Sequence, residues 1–240
     1  PLIPGSDAAG EVVSTGPGVS EYKTGDRVMS CFALDWISGT PGIKQVRNSS
    51  LGGPLDGTLT ELRVFPEKSL VRIPDFMTYE EASTLPCAGV TAWSALVTEA
   101  VVPPGSTIVV LGTGGVSIFA LQIGKMLGAR VIVTSSSNEK LELARKLGAD
   151  EVINYREKPQ WSKEVRKLTS MEGADHIIEV GGAGTLEESL RASNVHQFCA
   201  KDENTFHLFD GPHVRHVVWL KKVKFFVLLN LKNQKLKRFK

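Results

Sequence analysis

The first part of the chain contains short apolar runs separated by frequent turn residues. Glycine, proline, serine and aspartate recur every few positions between residues 10 and 72, and segment 59–64 alternates apolar and polar side chains. Alternation with period two is typical of strands with one buried face, and the turn residues indicate short connections. The pattern predicts a domain of small antiparallel strands, including one at 59–64.

The pattern changes near Thr78, where a helix is predicted to begin. This threonine offers a capping hydroxyl, and Glu80 and Glu81 supply early acidic residues that favour a helix start. Helical spacing continues through residues 88–100. Its apolar face is expected to contain Val90, Trp93, Leu96 and Val97.

After residue 105, apolar strands alternate with helical segments. Continuous β-branched runs indicate buried strands, and a glycine closes each of the first two helices. Strands are predicted at 107–111, 130–134, 151–154 and 175–180, with helices at 118–127, 139–147 and 162–168. This order predicts an α/β fold with a doubly wound parallel sheet. Because only four strands are recognisable, one sheet edge is expected to lie open and to favour association.

The composition excludes several classes of protein. With 240 residues, 42% of them hydrophobic and 22% charged, the chain resembles a globular protein rather than a disordered one. Cys31, Cys87 and Cys199 lack the spacing of a disulfide framework, which favours a reducing, cytoplasmic compartment. No stretch approaches the roughly 20 apolar residues of a membrane span. Opening at Pro1 without a methionine, the chain is expected to be the middle of a longer protein.

Residues 193–240 differ in composition from the rest of the chain. They carry a formal charge of +7, against −5 for residues 1–192, and hold one of the 23 glycines. We predict an atypical basic tail there, and hypothesise that it arises from a shifted reading frame, a retained intron or an alternative end. The alternative is a membrane-surface or nucleic-acid patch at 221–240.

The most informative motif lies between the first strand of the alternating series and its helix. One glycine permits a tight turn, and a second lets a pyrophosphate approach the unpaired amides of the helix. In this strand–turn–helix context the motif predicts a dinucleotide site. Its residues are Gly112, Thr113, Gly114, Gly115 and Val116. Ser117 follows where glycine or alanine is usual, so the helix packing must accommodate a hydroxyl.

The end of the second strand of the series indicates the phosphorylated coenzyme. Sites that prefer NAD place an acidic residue there, which accepts from the ribose hydroxyls. This chain has Ser135, Ser136 and Ser137 instead. Their hydroxyls and Lys140 would meet a 2′-phosphate as donors, which predicts NADP(H). Glu139 could reverse this preference, and we expect it to point away from the site.

Several further motifs occur in order along residues 3–192. They are Pro4-Gly5-Ser6-Asp7-Ala8-Ala9-Gly10, Gly25-Asp26-Arg27-Val28, Gly57-Thr58-Leu59-Thr60-Glu61, Ala88-Gly89-Val90-Thr91-Ala92-Trp93 and Gly148-Ala149-Asp150. Together with the glycine motif they resemble the medium-chain dehydrogenase/reductases. The resemblance is strongest to the zinc-independent branch that contains quinone oxidoreductases and enoyl reductases.

The resemblance implies a partial GroES-like substrate domain at 1–86, a partial Rossmann domain at 87–192, and hydride transfer from NADPH. It also implies that Lys140 and Tyr155 hold the 2′-phosphate and that Thr91 lines the nicotinamide end. The loop expected to pass the ribose consists of Val180, Gly181 and Gly182.

The resemblance also bears on metal binding. Zinc-dependent members carry a histidine–glutamate pair where this chain has Ser6 and Asp7. Cys87 matches a thiolate position, but a single cysteine cannot complete a tetrahedral zinc site. We therefore expect no metal, and a buried, inert thiol at Cys87.

These inferences predict an NADPH-dependent oxidoreductase that acts on a small-molecule substrate, namely a quinone, an activated alkene or a carbonyl. They identify no catalytic residue. The competing hypothesis is an incomplete chain that binds nucleotide without turnover. No nucleic-acid or membrane partner is expected, and a homodimer is left open.

Overall fold

The computed structural model describes residues 1–39 and 48–194, together with the backbone of three strands between residues 198 and 219. The chain divides into two compact units, and the division falls between Cys87 and Ala88. We call residues 1–87 the first unit and the described residues from Ala88 to Trp219 the second unit.

The framework of the first unit is a sheet of three short antiparallel strands. They are β1 at Ala9–Glu11, β2 at Arg27–Ser30 and β3 at Leu70–Arg72. β2 lies in the middle, with Gly10 opposite Val28 on one side and Met29 opposite Val71 on the other. The prediction of small antiparallel strands is confirmed.

The strand predicted at 59–64 is wrong. This segment belongs to no strand, and the side chains of Leu62 and Val64 are 70% and 92% exposed. Alternating apolar residues form a strand only when a neighbouring strand pairs with their backbone and a core covers one face. Among the described strands, none pairs with this segment.

The helix start predicted at Thr78 is confirmed. Helix α1 covers Tyr79–Ala82, and Thr78 Oγ1 accepts from the Glu81 N–H at 3.1 Å. The Glu81 carboxylate accepts in return from the Thr78 N–H at 2.9 Å. This reciprocal capping box satisfies two amides that a helix start leaves unpaired.

A helical stretch with uneven winding follows. Its elements are a π-helical turn at Leu85–Gly89, helix α2 at Val90–Trp93 and a second π-helical turn at Ser94–Glu99. The predicted apolar face is wrong at Val90 and Trp93, which are 53% and 47% exposed. The buried side chains include Ala92, Ala95 and Leu96. A π-helical turn holds more residues than an α-helical turn. Residues spaced 3.6 apart therefore no longer all face the core.

Four parallel strands form the centre of the second unit. They are β4 at Thr107–Leu111, β5 at Arg130–Ser135, β6 at Glu151–Asn154 and β7 at His176–Glu179. Their order in the sheet is β6-β5-β4-β7. The helices are α3 at Gly115–Met126, α4 at Asn138–Lys146, α5 at Trp161–Leu168 and α6 at Ala183–Ala192. The predicted α/β fold with a parallel sheet is confirmed.

Both faces of this sheet are buried. One face packs on α3 and α4 through Ile108, Val110, Val131, Val133, Leu121 and Leu141. The other face packs on α5 and α6 through Val109, Ile132, Ile177, Trp161, Val165 and Ala192. Because successive strand residues enter different cores, the strands are continuously apolar rather than alternating.

The backbone of three further strands extends the sheet past β7. They are β8 at Phe198–Ala200, β9 at Thr205–Asp210 and β10 at His213–Trp219. β10 pairs with β7 in parallel, and β9 and β8 follow as antiparallel neighbours. The sheet was expected to have four strands and one open edge. In the described backbone β10 covers β7, so the four-strand sheet does not end there. The hypothesised basic patch at 221–240 lies outside the described residues, and no helix within the described ranges is long and apolar enough to cross a membrane.

Candidate coenzyme site

The turn after β4 depends on a glycine at its first position. Gly112 has a φ of 76°, a left-handed conformation that is strained for residues with a side chain. Its N–H donates to the Thr134 carbonyl on β5 at 2.8 Å, which fixes the turn to the neighbouring strand. Thr113, the next residue, is half-buried.

The start of α3 is exposed and has no side-chain cap. Gly114 precedes the helix and makes no side-chain capping bond, and the helical hydrogen bonds begin with the Ile118 N–H to the Gly114 carbonyl at 2.9 Å. A Cβ added to Gly114 would meet nothing within 4 Å. The amides of Gly115, Val116 and Ser117 therefore have no acceptor inside the helix. A helix start of this kind binds anionic groups through its amides and its dipole.

The hydroxyl of Ser117 connects the helix to the strand. Ser117 is 2% exposed and donates to the Leu111 carbonyl at 2.7 Å, which explains how a hydroxyl is accommodated there. Close packing of helix on strand occurs at Gly124. A Cβ added to Gly124 would lie 3.0 Å from Ile108 Cδ1 and from Val131 Cγ2. Gly124 was not singled out in the sequence, although a glycine in mid-helix was a signal for such contact.

The ends of β5 and β6 meet where the 2′-phosphate is predicted to bind. Ser135 lies opposite Asn154, and the Tyr155 N–H donates to the Ser135 carbonyl at 3.1 Å. Ser137 is the residue before α4, and its Oγ accepts from the Lys140 N–H at 3.4 Å. The structure thus brings all five predicted positions, including Ser136 between the two serines, to the place where the ends of β5 and β6 meet the start of α4.

Three of the predicted side chains are accessible at this edge. Ser135 is buried, whereas Ser136 is half-buried, Lys140 is exposed and Tyr155 is 40% exposed. Glu139 is exposed in the first turn of α4. Ser136, Lys140 and Tyr155 can therefore present polar groups to a ligand without rearrangement of the backbone.

A carboxylate that the sequence analysis missed lies beside these strand ends. Glu157 Oε1 accepts from Asn138 Nδ2 at 2.8 Å and from Asn154 Nδ2 at 3.0 Å. Asn154 Nδ2 also donates to Asn138 Oδ1 at 2.7 Å. The available signal was the two asparagines, Asn154 as the last residue of β6 and Asn138 as the first residue of α4. They engage Glu157 through amide donors.

The loop after β7 is organised by Glu179, whose side chain is completely buried. Its Oε1 accepts from the N–H groups of Gly181 at 2.7 Å and Gly182 at 3.0 Å, and from Thr185 Oγ1 at 2.7 Å. Its Oε2 accepts from Ser189 Oγ. The loop, including Val180, which is 38% exposed, was predicted from the sequence, whereas the carboxylate that holds it was not.

The segment that contains Thr91 lies next to the glycine turn. Thr91 is half-buried on α2, and α2 packs against α3. A Cβ added to Gly115 would lie 3.2 Å from Ala88 Cβ. The structure therefore places this helical stretch at the start of α3.

In the first unit, Asp7 and Cys87 form a buried pair, each 8% exposed. Asp7 Oδ2 accepts from Ser6 Oγ at 2.5 Å, and the Cys87 backbone amide also donates to the Asp7 carboxylate. Burial raises the pKa of Asp7. Burial, and then the charge of Asp7, raise the pKa of the Cys87 thiol to about 12. The thiol is therefore protonated at neutral pH and unreactive as a nucleophile. Within the described ranges, no group of three or more His, Cys, Asp or Glu side chains is arranged to hold a metal.

Two family models match the chain. The model of the zinc-binding dehydrogenases matches residues 115–196, and that of the alcohol dehydrogenase GroES-like domain matches residues 1–75. A zinc-type alcohol dehydrogenase-like protein of Schizosaccharomyces pombe is 47% identical over 192 residues, which cover 79% of this chain and 55% of that protein.

Solved structures give the same picture. A putative alcohol dehydrogenase from Sinorhizobium meliloti 1021 aligns with a TM-score of 0.75 and 48% identity, over 80% of this chain and 57% of that one. An NAD-dependent alcohol dehydrogenase aligns with a TM-score of 0.72 and 37% identity, over 80% and 58%. The chain thus spans little more than half the length of these relatives.

Proposed function

Because the chain belongs to the medium-chain, zinc-type alcohol dehydrogenase superfamily, we propose that it is an NADPH-dependent oxidoreductase. Its fold is a GroES-like antiparallel sheet followed by a Rossmann-like parallel sheet. The observation that carries the proposal is the uncapped start of α3, where Gly114 faces open space directly after a parallel strand.

The residues of this turn fit the diphosphate of a nicotinamide coenzyme. Gly112 makes the turn, Gly114 leaves room for the phosphates, and the amides of the first helical turn can donate to them. The bound coenzyme supplies the hydride. The chain's own residues bind and orient the coenzyme and exclude water from it.

The preference for NADPH rests on the edge formed by β5 and β6. Lys140 supplies a positive charge, and Ser136 and Tyr155 supply hydroxyls at accessible positions. Glu157 is engaged by the amides of two asparagines, so it does not take the ribose-binding role that an acidic residue plays in NAD sites.

Thermal unfolding with NADPH, with NADH and without ligand tests this proposal. A ligand at 100 times its dissociation constant stabilises the folded state by about 2.7 kcal/mol. We expect a clear upward shift in Tm with NADPH and a smaller one with NADH at the same concentration. A larger shift with NADH would overturn the phosphate preference, and no shift with either coenzyme would overturn coenzyme binding.

We also propose that the reaction is zinc-independent and that the substrate is a quinone, an activated alkene or a carbonyl. The support is the donor set of the first unit, which has Ser6 and Asp7 in place of a histidine–glutamate pair, so that Cys87 is left as a single cysteine beside them. Polarisation of the substrate would then come from hydrogen-bond donors. Elemental analysis of the purified protein should find well under one zinc per chain, and stoichiometric zinc would refute the proposal.

Whether this chain turns over a substrate depends on parts of the relatives to which it does not align. Because the chain aligns with about 55% of its Schizosaccharomyces pombe relative, a chain that binds coenzyme without turnover is the second candidate. Oxidation of NADPH in the presence of quinones, enals and aldehydes distinguishes the two. A shift in Tm without oxidation of NADPH would favour the second candidate.

A further inference from the structure

We propose that Glu179 is a positioning residue of the coenzyme site, which sets the conformation of loop 180–182 and thereby the affinity for the nicotinamide half of the coenzyme. The inference rests on the proposed coenzyme binding. It assigns a role in binding to a carboxylate that is buried beneath the loop and does not touch the coenzyme.

The position of the loop follows from the strand order. β4, which carries the glycine turn, has β5 on one side and β7 on the other. Parallel strands end at the same edge of the sheet, so the loop after β7 lies beside the glycine turn, opposite the end of β5. A coenzyme with its diphosphate on α3 and its 2′-phosphate at the end of β5 therefore directs its nicotinamide half towards the loop after β7.

The carboxylate of Glu179 fixes this loop through one of its two oxygens. Oε1 accepts from both glycine amides of the loop and from the Thr185 hydroxyl, whereas Oε2 accepts from Ser189 on α6. A buried carboxylate is tolerated only when hydrogen bonds replace its lost hydration. Here four uncharged donors replace the hydration of the carboxylate, and two of these donors are backbone N–H groups of the loop.

The backbone conformation of loop 180–182 requires glycine at two of its positions. A Cβ added to Gly181 would lie 2.3 Å from Thr185 Oγ1, so a side chain at this position has no room. Gly182 has a φ of 80°, a conformation that favours glycine. The two glycines make this conformation accessible, and the hydrogen bonds to Glu179 select it from the others that glycine would permit.

Glu179→Gln tests the role of the carboxylate with little change in volume. Glutamine keeps one acceptor oxygen, but this oxygen is neutral, so the two loop amides would lose the charged acceptor that they share. Calorimetry on the full chain should compare NADPH with adenosine 2′,5′-bisphosphate, which has no nicotinamide half. We expect the dissociation constant of NADPH to rise about tenfold, as for the loss of one charged hydrogen bond, and that of the bisphosphate to change less than about twofold.

A matched pair of variants separates positioning from general stability. Thr185→Val removes the donor on the loop side of the carboxylate, and Ser189→Ala removes the donor on the helix side. We expect Thr185→Val to weaken NADPH about threefold and Ser189→Ala to weaken it clearly less, although both should lower Tm. This pair decides the question even if Glu179→Gln fails to fold.

Three outcomes would overturn the inference. The first is that Glu179→Gln weakens the binding of NADPH and of the bisphosphate equally. The second is that Thr185→Val leaves NADPH affinity unchanged. The third is that Thr185→Val and Ser189→Ala lose the same NADPH affinity. If the unsubstituted chain binds neither NADPH nor NADH, the proposed function itself fails, and this result is distinct from the other three.

Discussion

Two helices start side by side at the same edge of the parallel sheet, but their first turns are built differently. α3 follows Gly114, which provides no side-chain cap, whereas α4 follows Ser137, whose hydroxyl accepts from the Lys140 N–H. β4 and β5, which lead into these helices, pair in register with Leu111 opposite Thr134. The same local problem, a helix start with unpaired amides, therefore has two solutions on neighbouring strands.

The difference separates a binding feature from a structural one. A serine cap stabilises a helix start by about 1 kcal/mol relative to alanine, and glycine forgoes only a few tenths of that gain. The uncapped start of α3 thus costs little and leaves its amides for a ligand. At the capped start of α4 the Ser137 hydroxyl already engages the Lys140 amide, and the accessible side chains of Ser136 and Lys140 are available to an anion.

The largest effect is expected when the start of α3 is made to resemble that of α4. Gly114 has a φ of −79°, so Gly114→Asp adds a capping carboxylate without backbone strain. We expect unchanged or slightly higher thermal stability but at least about 100-fold weaker NADPH binding, because two like charges 4 Å apart near a protein surface repel by several kcal/mol. Calorimetry and thermal unfolding measure the two effects.

Gly114→Asn is the matched control, since it has the same size and capping capacity without the charge. It should weaken NADPH binding less than Gly114→Asp does. Equal NADPH affinity in Gly114→Asp and the unsubstituted chain would mean that no diphosphate lies on α3. The uncapped start of α3 would then have no role in coenzyme binding.

A smaller effect is expected at the capped helix, where the ligand would meet side chains. Lys140→Ala should weaken NADPH binding about tenfold, the loss of one charged hydrogen bond, and leave NADH binding unchanged. Lys146→Ala, an exposed lysine in the last turn of the same helix, controls for the loss of one positive charge. If both variants weaken NADPH equally, the contribution of Lys140 is general electrostatic attraction.

How far the sequence predicts the fold depends on which interactions set each element. The strands of the second unit are buried on both faces, so their apolar runs alone located them, and β4 and β6 were predicted to the residue. Segment 59–64 alternates like a strand, yet none of the described strands pairs with it. The face of α2 was misplaced because π-helical turns leave no mark in a periodicity of 3.6.

The candidate site also contains features that the sequence predicts and features that it does not. The glycine turn was predictable because the conformation at Gly112 and the space at Gly114 are local requirements of backbone and ligand. The anchoring of loop 180–182 by Glu179 was not, since it depends on donors up to ten positions away that only the folded helix brings together. The same holds for Glu157, which two asparagines from different elements engage.

The smallest effect should come from the cap itself. Ser137→Ala removes the hydroxyl that accepts from the Lys140 N–H and should lower the free energy of unfolding by about 1 kcal/mol. NADPH affinity should stay within about threefold, because the hydroxyl serves the helix rather than the ligand. Ser136→Ala is the complementary variant, with stability unchanged within about 0.5 kcal/mol and weaker NADPH binding. Urea unfolding and calorimetry on both variants would show the reverse pattern if Ser137 bound the phosphate and Ser136 stabilised the fold.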